Sequence, residues 1–202
     1  MKPNLYTRPN KPRTMTVNRR EDAPAMARPS PPEILEVDSF TECHITPDEQ
    51  AEEMASYLYD NGGLILEPEA GTGALIEGLK TMGFDISRVV AVERHIKLSN
   101  SLHERFNDVL LHDIINECFL EYAQRIEGRI FYQNIIMNPP FKAVKKHMKA
   151  ALSLLSKEPD SSLVALVPVT YQHEDAETLD ILDNETFPTA KVNTKIIRFL
   201  RA

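Results

Sequence analysis

The sequence predicts an α/β fold: a mostly parallel, seven-stranded sheet with helices on both faces and an antiparallel last strand. Three observations lead there. Five short apolar runs recur between residues 62 and 169. Segments of ten to fifteen residues with helical spacing separate them. Continuous apolar runs mark strands buried on both faces, and parallel strands need a helical crossover between them. After residue 169 the alternation stops and two strand-like runs follow each other, as a hairpin that reverses the final strand requires.

The elements follow in order. ITPDEQAEEMASYLY, residues 45–59, reads as a helix. Thr46 is expected as its N-cap, Pro47 as its first helical residue and Glu49 as a capping-box carboxylate. Ala51, Met54, Ala55 and Leu58 form its apolar stripe. GGLILEP (62–68) is the first strand of the sheet, and ALIEGLKTMG (74–83) is a helix that stops at Gly83. RVVAVE (88–93) is the second strand. HIKLSNSLHERF (95–106) is a helix with Ile96, Leu98, Leu102 and Phe106 towards the core. DVLLHD (108–113) is the third strand, closed by Asp113, and NECFLEYAQRI (116–126) the next helix. FYQNIIMN (131–138) and SLVALVPV (162–169) flank KAVKKHMKAALSLL (142–155), a helix with one basic face. ETLDILD (177–183) and KVNTKIIRFLRA (191–202) complete the hairpin, turning around Phe187–Pro188. No internal repeat is present.

Composition bounds the rest. With 202 residues and 42% hydrophobic content the chain can build one sizeable core. It has no apolar run of 18 residues and no apolar leader, so a cytoplasmic protein without a membrane span is expected. Cys43 and Cys118 stand far apart, and the histidines at 44, 95, 103, 112, 147 and 173 show no ligand spacing, so no metal is expected. His44, beside Thr46, is the histidine to watch. The net charge of −7 is unevenly spread. Residues 1–32 carry seven Lys/Arg against two acids, a net of +5, and seven prolines, which leaves −12 for residues 33–202. The first segment is expected to be a disordered or extended arm, a solvated leader or a contact for phosphate backbones, and the second a single domain.

Ligands of an open parallel sheet bind beyond the carboxyl ends of its strands. EPEAGTG, Glu67 to Gly73, follows the first strand, and Gly71 and Gly73 permit a tight turn and a close ligand approach. Glu93 ends the second run, placed to accept from both hydroxyls of a ribose, and Asp113 ends the third, placed to accept from an exocyclic amine. A dinucleotide fingerprint fails because Ile76 takes the third glycine position and Glu67 would repel a pyrophosphate. A phosphate-binding loop fails because Leu79 separates Gly78 from Lys80 within a helix. A phosphate-free, positively charged nucleoside such as S-adenosylmethionine fits better.

The fourth strand ends on Asn138-Pro139-Pro140-Phe141. An amide held by prolines presents one carbonyl in a fixed direction, and the Pro139 carbonyl adds a second acceptor. Two acceptors on one NH₂ group draw its hydrogens away and free the nitrogen lone pair for attack. Phe141 offers a face for an unstacked base.

Taken together, these motifs resemble those of the class I S-adenosylmethionine-dependent methyltransferases, and among them the N6-adenine DNA methyltransferases, over roughly residues 40 to 200. The resemblance implies a Rossmann-like sheet and S-adenosylmethionine as cofactor. It also implies cofactor contacts from Thr46, Glu67, Gly71, Gly73, Glu93 and Asp113, and a target base held by Asn138, Pro139, Pro140 and Phe141. The chain departs from the family in two ways. The stretch from Val169 to Glu177 is too short for the usual helix, and, with the seventh strand at residues 191–202, no target-recognition domain is expected. Specificity is then expected to be low, short or borrowed from a partner protein. Lys142, Lys145, Lys146 and Lys149 are the expected nucleic-acid contacts. Other acceptors remain open, namely rRNA, tRNA or a protein glutamine, as does a non-catalytic subunit of the same fold.

Overall fold

The computed structural model describes residues 13–17, 33–37, 45–107, 111–182 and 193–201. It separates into two units, Met1–Glu42 and Cys43–Ala202. In the first, strands β1 (Arg13–Val17) and β2 (Glu33–Val37) pair antiparallel, Arg13 opposite Val37. The rest of the expected arm, and His44, lie outside the described residues.

The second unit is a seven-stranded sheet. Its strands are β3 (Ile65–Glu67), β4 (Val89–Val92), β5 (Asp113–Ile115), β6 (Asn134–Met137), β7 (Ser162–Pro168), β8 (Glu177–Leu182) and β9 (Thr194–Leu200). They lie in the order β5-β4-β3-β6-β7-β9-β8. The pairs from β5 to β7 are parallel, and β9 runs antiparallel between β7 and β8. The last strand is therefore reversed, as its hairpin position predicts. The turn expected around Phe187–Pro188 is outside the described residues. No helix joins β7 to β8; residues 169–176 form turns.

Among the described residues five α-helices cover the sheet: α1 (Asp48–Ser56), α2 (Ala74–Thr81), α3 (Ile96–Arg105), α4 (Phe119–Ile126) and α5 (Val144–Leu154). On one face Met54, Ile76, Leu79 and Leu102 pack on Ile65, Ala91 and Ile136. On the other, Phe119, Tyr122, Met148 and Leu154 pack on Leu66, Val92 and Met137. Alternate residues of each buried strand thus feed opposite layers, which explains the continuous apolar runs. Asn134 is fully buried at the head of β6, accepting from Ser162 Oγ at 2.7 Å and donating to the Tyr59 carbonyl at 2.8 Å. Among the described residues no helix is long and apolar enough to cross a membrane.

Three expectations need correction. Ile96, expected towards the core, is 56% exposed at the start of α3, where Leu98 and Leu102 take the inward face. The N-cap of α1 is Pro47, whose carbonyl accepts from Ala51 N at 2.9 Å, and no side chain caps the helix. The Thr46 hydroxyl is engaged elsewhere, and Glu49 is exposed. Asp113 opens β5 instead of closing a strand, because Ile114 and Ile115 carry the pairing onward opposite Ala91 and Val92. Asp113 is exposed there, and its charge acts on the buried tyrosines Tyr122 and Tyr132.

Helices α1 and α2 approach so closely that a Cβ on Gly78 would lie 2.5 Å from the Ala51 carbonyl oxygen. Backbone cannot retreat as a side chain can. Gly78→Ala is expected to lower unfolding free energy by about 1–3 kcal/mol, despite the better helix propensity of alanine. Urea titration measures it.

Candidate active site

Three adjacent strands, β4, β3 and β6, end side by side. Glu67 pairs with Ala91, and Leu66 with Ile135. Glu93 and Asn138 therefore each extend two residues past the level of Glu67, on strands about 10 Å apart with β3 between them. The sheet register alone brings the glycine loop, the second-strand acid and the N-P-P-F turn to one edge.

The loop from Glu67 to Gly73 is bent at Gly71 (φ 53°) and Gly73 (φ 82°), left-handed values that favour glycine. Ala70 N donates to the Val92 carbonyl and Gly73 N to that of Ala70. A Cβ on Gly73 would also meet the Phe106 ring at 2.8 Å and Leu102 at 2.9 Å. Arg105 braces the loop from α3, donating to the Thr72 carbonyl at 2.7 Å and pairing with Glu77 at 3.2 Å.

Glu93 closes the loop from the neighbouring strand. One carboxylate oxygen accepts from Gly71 N at 2.9 Å and the other from His95 N at 2.6 Å. Asn116, just past β5, donates to the Glu93 carbonyl at 2.8 Å. It occupies the strand end that the sequence assigned to Asp113. Glu67 is 1% exposed, and its Oε2 is buried without a hydrogen-bond partner among the described residues. Burial, then the charges of Glu69 and Glu93, raise its pKa well above the ordinary carboxylate range. Burial also raises Glu69, against the opposing effect of His147, and raises Glu93, against its two N–H donors. Three buried acids so placed suit a ligand that brings positive charge.

At the third strand end, Asn138 Nδ2 donates to Thr46 Oγ1 at 3.0 Å. This bond spans 92 residues of sequence and leaves the amide carbonyl as the acceptor end. Pro139 is buried. The Pro140 carbonyl accepts from Ala143 N at 2.9 Å, shaping the 3₁₀ turn Phe141–Ala143. Phe141 is half-buried against the core on the α1–α3 face. Lys142, Lys145, Lys146 and Lys149 are all exposed, while His147, Met148 and Ala151 turn inward.

Thr46, Glu67, Gly71, Gly73, Glu93 and Asn138 to Phe141 thus gather at neighbouring strand ends and the segment leading into α1; Asp113 does not join them. Sequence reasoning missed Arg105, Asn116, Glu69 and His147. Glu69 lies within the EPEAGTG motif, and its charge in a buried loop was the available signal. Among the described residues no group of three or more His, Cys, Asp and Glu is arranged to hold a metal ion.

No protein-family model matches the chain, and no curated protein matches it. Solved structures do. The 23S rRNA methyltransferase ErmE superposes with a TM-score of 0.60 at 16% identity, over 76% of this chain and 68% of that one. A chain of a type I restriction-modification system gives 0.59 at 13%, over 78% and 42%. An O-methyltransferase from Bacillus cereus, solved in complex with SAH, gives 0.58 at 14%, over 78% and 83%. The chain has the class I methyltransferase fold.

The acidic cluster has a consequence for stability. The folded chain keeps protons on Glu67, Glu69 and Glu93 to higher pH than the unfolded chain does. Their contribution is most favourable below the ordinary value of 4.5 and is lost as pH rises through the raised folded values. In urea unfolding without added ligand, Glu67→Gln is therefore expected to gain on the unsubstituted chain as pH climbs from about 4.5 towards neutrality. An equal difference at every pH would contradict the burial of that charge.

Proposed function

We propose that the chain transfers a methyl group from S-adenosylmethionine to the N6 amine of adenine in DNA. The observation that carries this reading is the buried acidic wall of Glu67, Glu69 and Glu93, one strand away from an N-P-P-F turn whose amide is fixed by Thr46. The residues fit the cofactor. Glu67 Oε2 is buried without a partner among the described residues, and a cationic ligand relieves that cost. When bound, S-adenosylmethionine supplies an electrophilic methyl group on a sulfonium.

The chain supplies the rest. Glu93 has about four acceptor positions on its two oxygens, and backbone N–H groups take two, which leaves room for ribose hydroxyls. Gly71 and Gly73 let the main chain approach the ligand. Asn116 is a better candidate than Asp113 to meet the cofactor's adenine ring. At the acceptor, Asn138 Oδ1 and the Pro139 carbonyl take the amine hydrogens, which frees the lone pair. They also stabilise positive charge that grows on nitrogen as the N–C bond forms and the S–C bond breaks. The methylated nitrogen then loses its proton to water, so no strong base is required. Phe141 stacks the extruded base.

DNA is favoured by the exposed lysine stripe leading away from Phe141 and by the likeness to a restriction-modification chain. RNA is the second reading, supported by the likeness to ErmE. Labelled S-adenosylmethionine offered to DNA, rRNA, tRNA and protein separates them; label in DNA recovered as N6-methyladenine is the expected result. Label only in RNA or protein moves the acceptor, and no label anywhere with cofactor bound rejects catalysis.

Asn138→Ala is expected to lower kcat at least about 100-fold while cofactor affinity changes little, since the lost interaction belongs to the transition state. Isothermal titration and single-turnover kinetics read the two. Replacing Lys145, Lys146 and Lys149 by alanine is expected to weaken DNA binding at every sequence. It should also reduce the slope of log K against log salt by about 0.9 for each phosphate that a lysine no longer neutralises.

A further inference from the structure

His147 is the fourth residue of α5, the helix that begins three residues after Phe141. Its Nδ1 meets Oε1 of Glu69, the middle residue of the bend between Glu67 and Gly71. Both side chains are largely covered, 11% and 17% exposed. The imidazole also rests on Phe119 of α4, ring centres 6.0 Å apart. Glu69 N reaches back to Glu67 Oε1 at 3.4 Å. A contiguous path thus runs from the acid that faces the ligand, through Glu69, to the helix that carries the base-holding turn.

We infer that the Glu69–His147 contact is a positioning clamp that sets the gap between the cofactor loop and the Asn138–Phe141 turn. This rests on the methyltransferase reading. Glycine loops and proline turns have no intrinsic reason to keep a fixed separation across the layer; a covered imidazole–carboxylate contact supplies one. Methyl transfer needs the nitrogen and the sulfonium carbon in line and about 3–3.5 Å apart, and a misplacement of about 1 Å costs on the order of 100-fold in rate. A clamp that acts on this gap affects kcat and leaves ground-state cofactor binding nearly alone.

Glu69 faces Glu67 and Glu93 across the loop and His147 and Arg94 from neighbouring elements. Removing the imidazole therefore leaves a covered carboxylate without its closest partner.

The test compares His147→Leu, His147→Ala and His147→Asn in the full chain. Asparagine retains a polar N–H group near the Nδ1 position. Three readouts are taken: S-adenosylhomocysteine affinity by calorimetry, kcat on whichever acceptor class takes up label, and hydrogen exchange of the peptides spanning 68–73 and 138–146. Leucine is expected to lower kcat about 10- to 100-fold with affinity changed less than about threefold, and to raise exchange in both peptides. His147→Asn is expected to recover most of both. Unchanged kcat and exchange in His147→Leu overturn the clamp. So does a loss shared equally by kcat, affinity and the asparagine variant, which marks general destabilisation. If His147→Leu does not fold, His147→Ala reads the same contact, with the same outcomes. An unsubstituted chain that binds no S-adenosylhomocysteine overturns the cofactor reading instead, and exchange in the variants still reports on the contact.

Discussion

The burial of three carboxylates at one sheet edge is the constraint around which this chain is built. Each would hold its charge more cheaply in water, and together they repel. The fold keeps them by surrounding them with partners: Gly71 N and His95 N donate to Glu93, Glu69 N donates to Glu67, and the His147 ring lies in ion-pair contact with Glu69. Glu67 Oε2 and both carboxylate oxygens of Glu69 are still buried with no hydrogen-bond partner among the described residues. Uncompensated burial of this kind concentrates at functional sites, because a ligand of opposite charge completes the set. On the function proposed above, the same groups that weaken the chain without ligand become its selectivity for a cation over the phosphate-bearing nucleotides that otherwise use glycine loops.

Sheet geometry makes the arrangement possible. A parallel pair advances both chains in one direction, so the ends of β4, β3 and β6 open into the same space, and each crossover helix returns the chain to the far edge. Glu93 then serves the loop of the strand beside it: its carboxylate holds Gly71, and the Ala70 amide bonds to the Val92 carbonyl. Loop and acid are mutually required, since removing the acid leaves an amide without its partner and moving the loop exposes the acid. Arg105 adds a brace from α3, over a glycine that must lack a side chain because Phe106 and Leu102 fill the space.

Much of this was legible in the sequence because it is local. Apolar runs of strand length, helical spacing between them and the motifs at their ends foretold the strand count of the sheet, the reversed β9 and, Asp113 apart, which residues gather at its strand ends. The misreadings share a cause. Thr46 looks like an N-cap when only its neighbours are considered, yet its hydroxyl bonds to a residue 92 positions away. Asp113 looks like the end of a strand because a charge interrupts an apolar run, yet pairing with β4 continues through Ile115. Asn116, Arg105 and His147 act through the carbonyls or carboxylates of residues 23 to 78 positions distant, which no spacing rule encodes.

Thr46 shows how stability and function trade at this edge. A threonine N-cap contributes about 0.5–2 kcal/mol to a helix, and α1 goes without it. The helix is short, nine residues, and would be marginal in isolation. Its stability must come from packing instead, through Ala51, Met54 and Ala55, all fully buried, and through the close approach at Gly78. That packing fixes the start of α1 against the sheet, so the hydroxyl just before it stays within hydrogen-bond reach of the Asn138 amide. On the mechanism proposed above, an amide so anchored is the group that polarises the acceptor amine. The uncapped helix is then the structural cost of anchoring that amide, and the close packing at Gly78 offsets it.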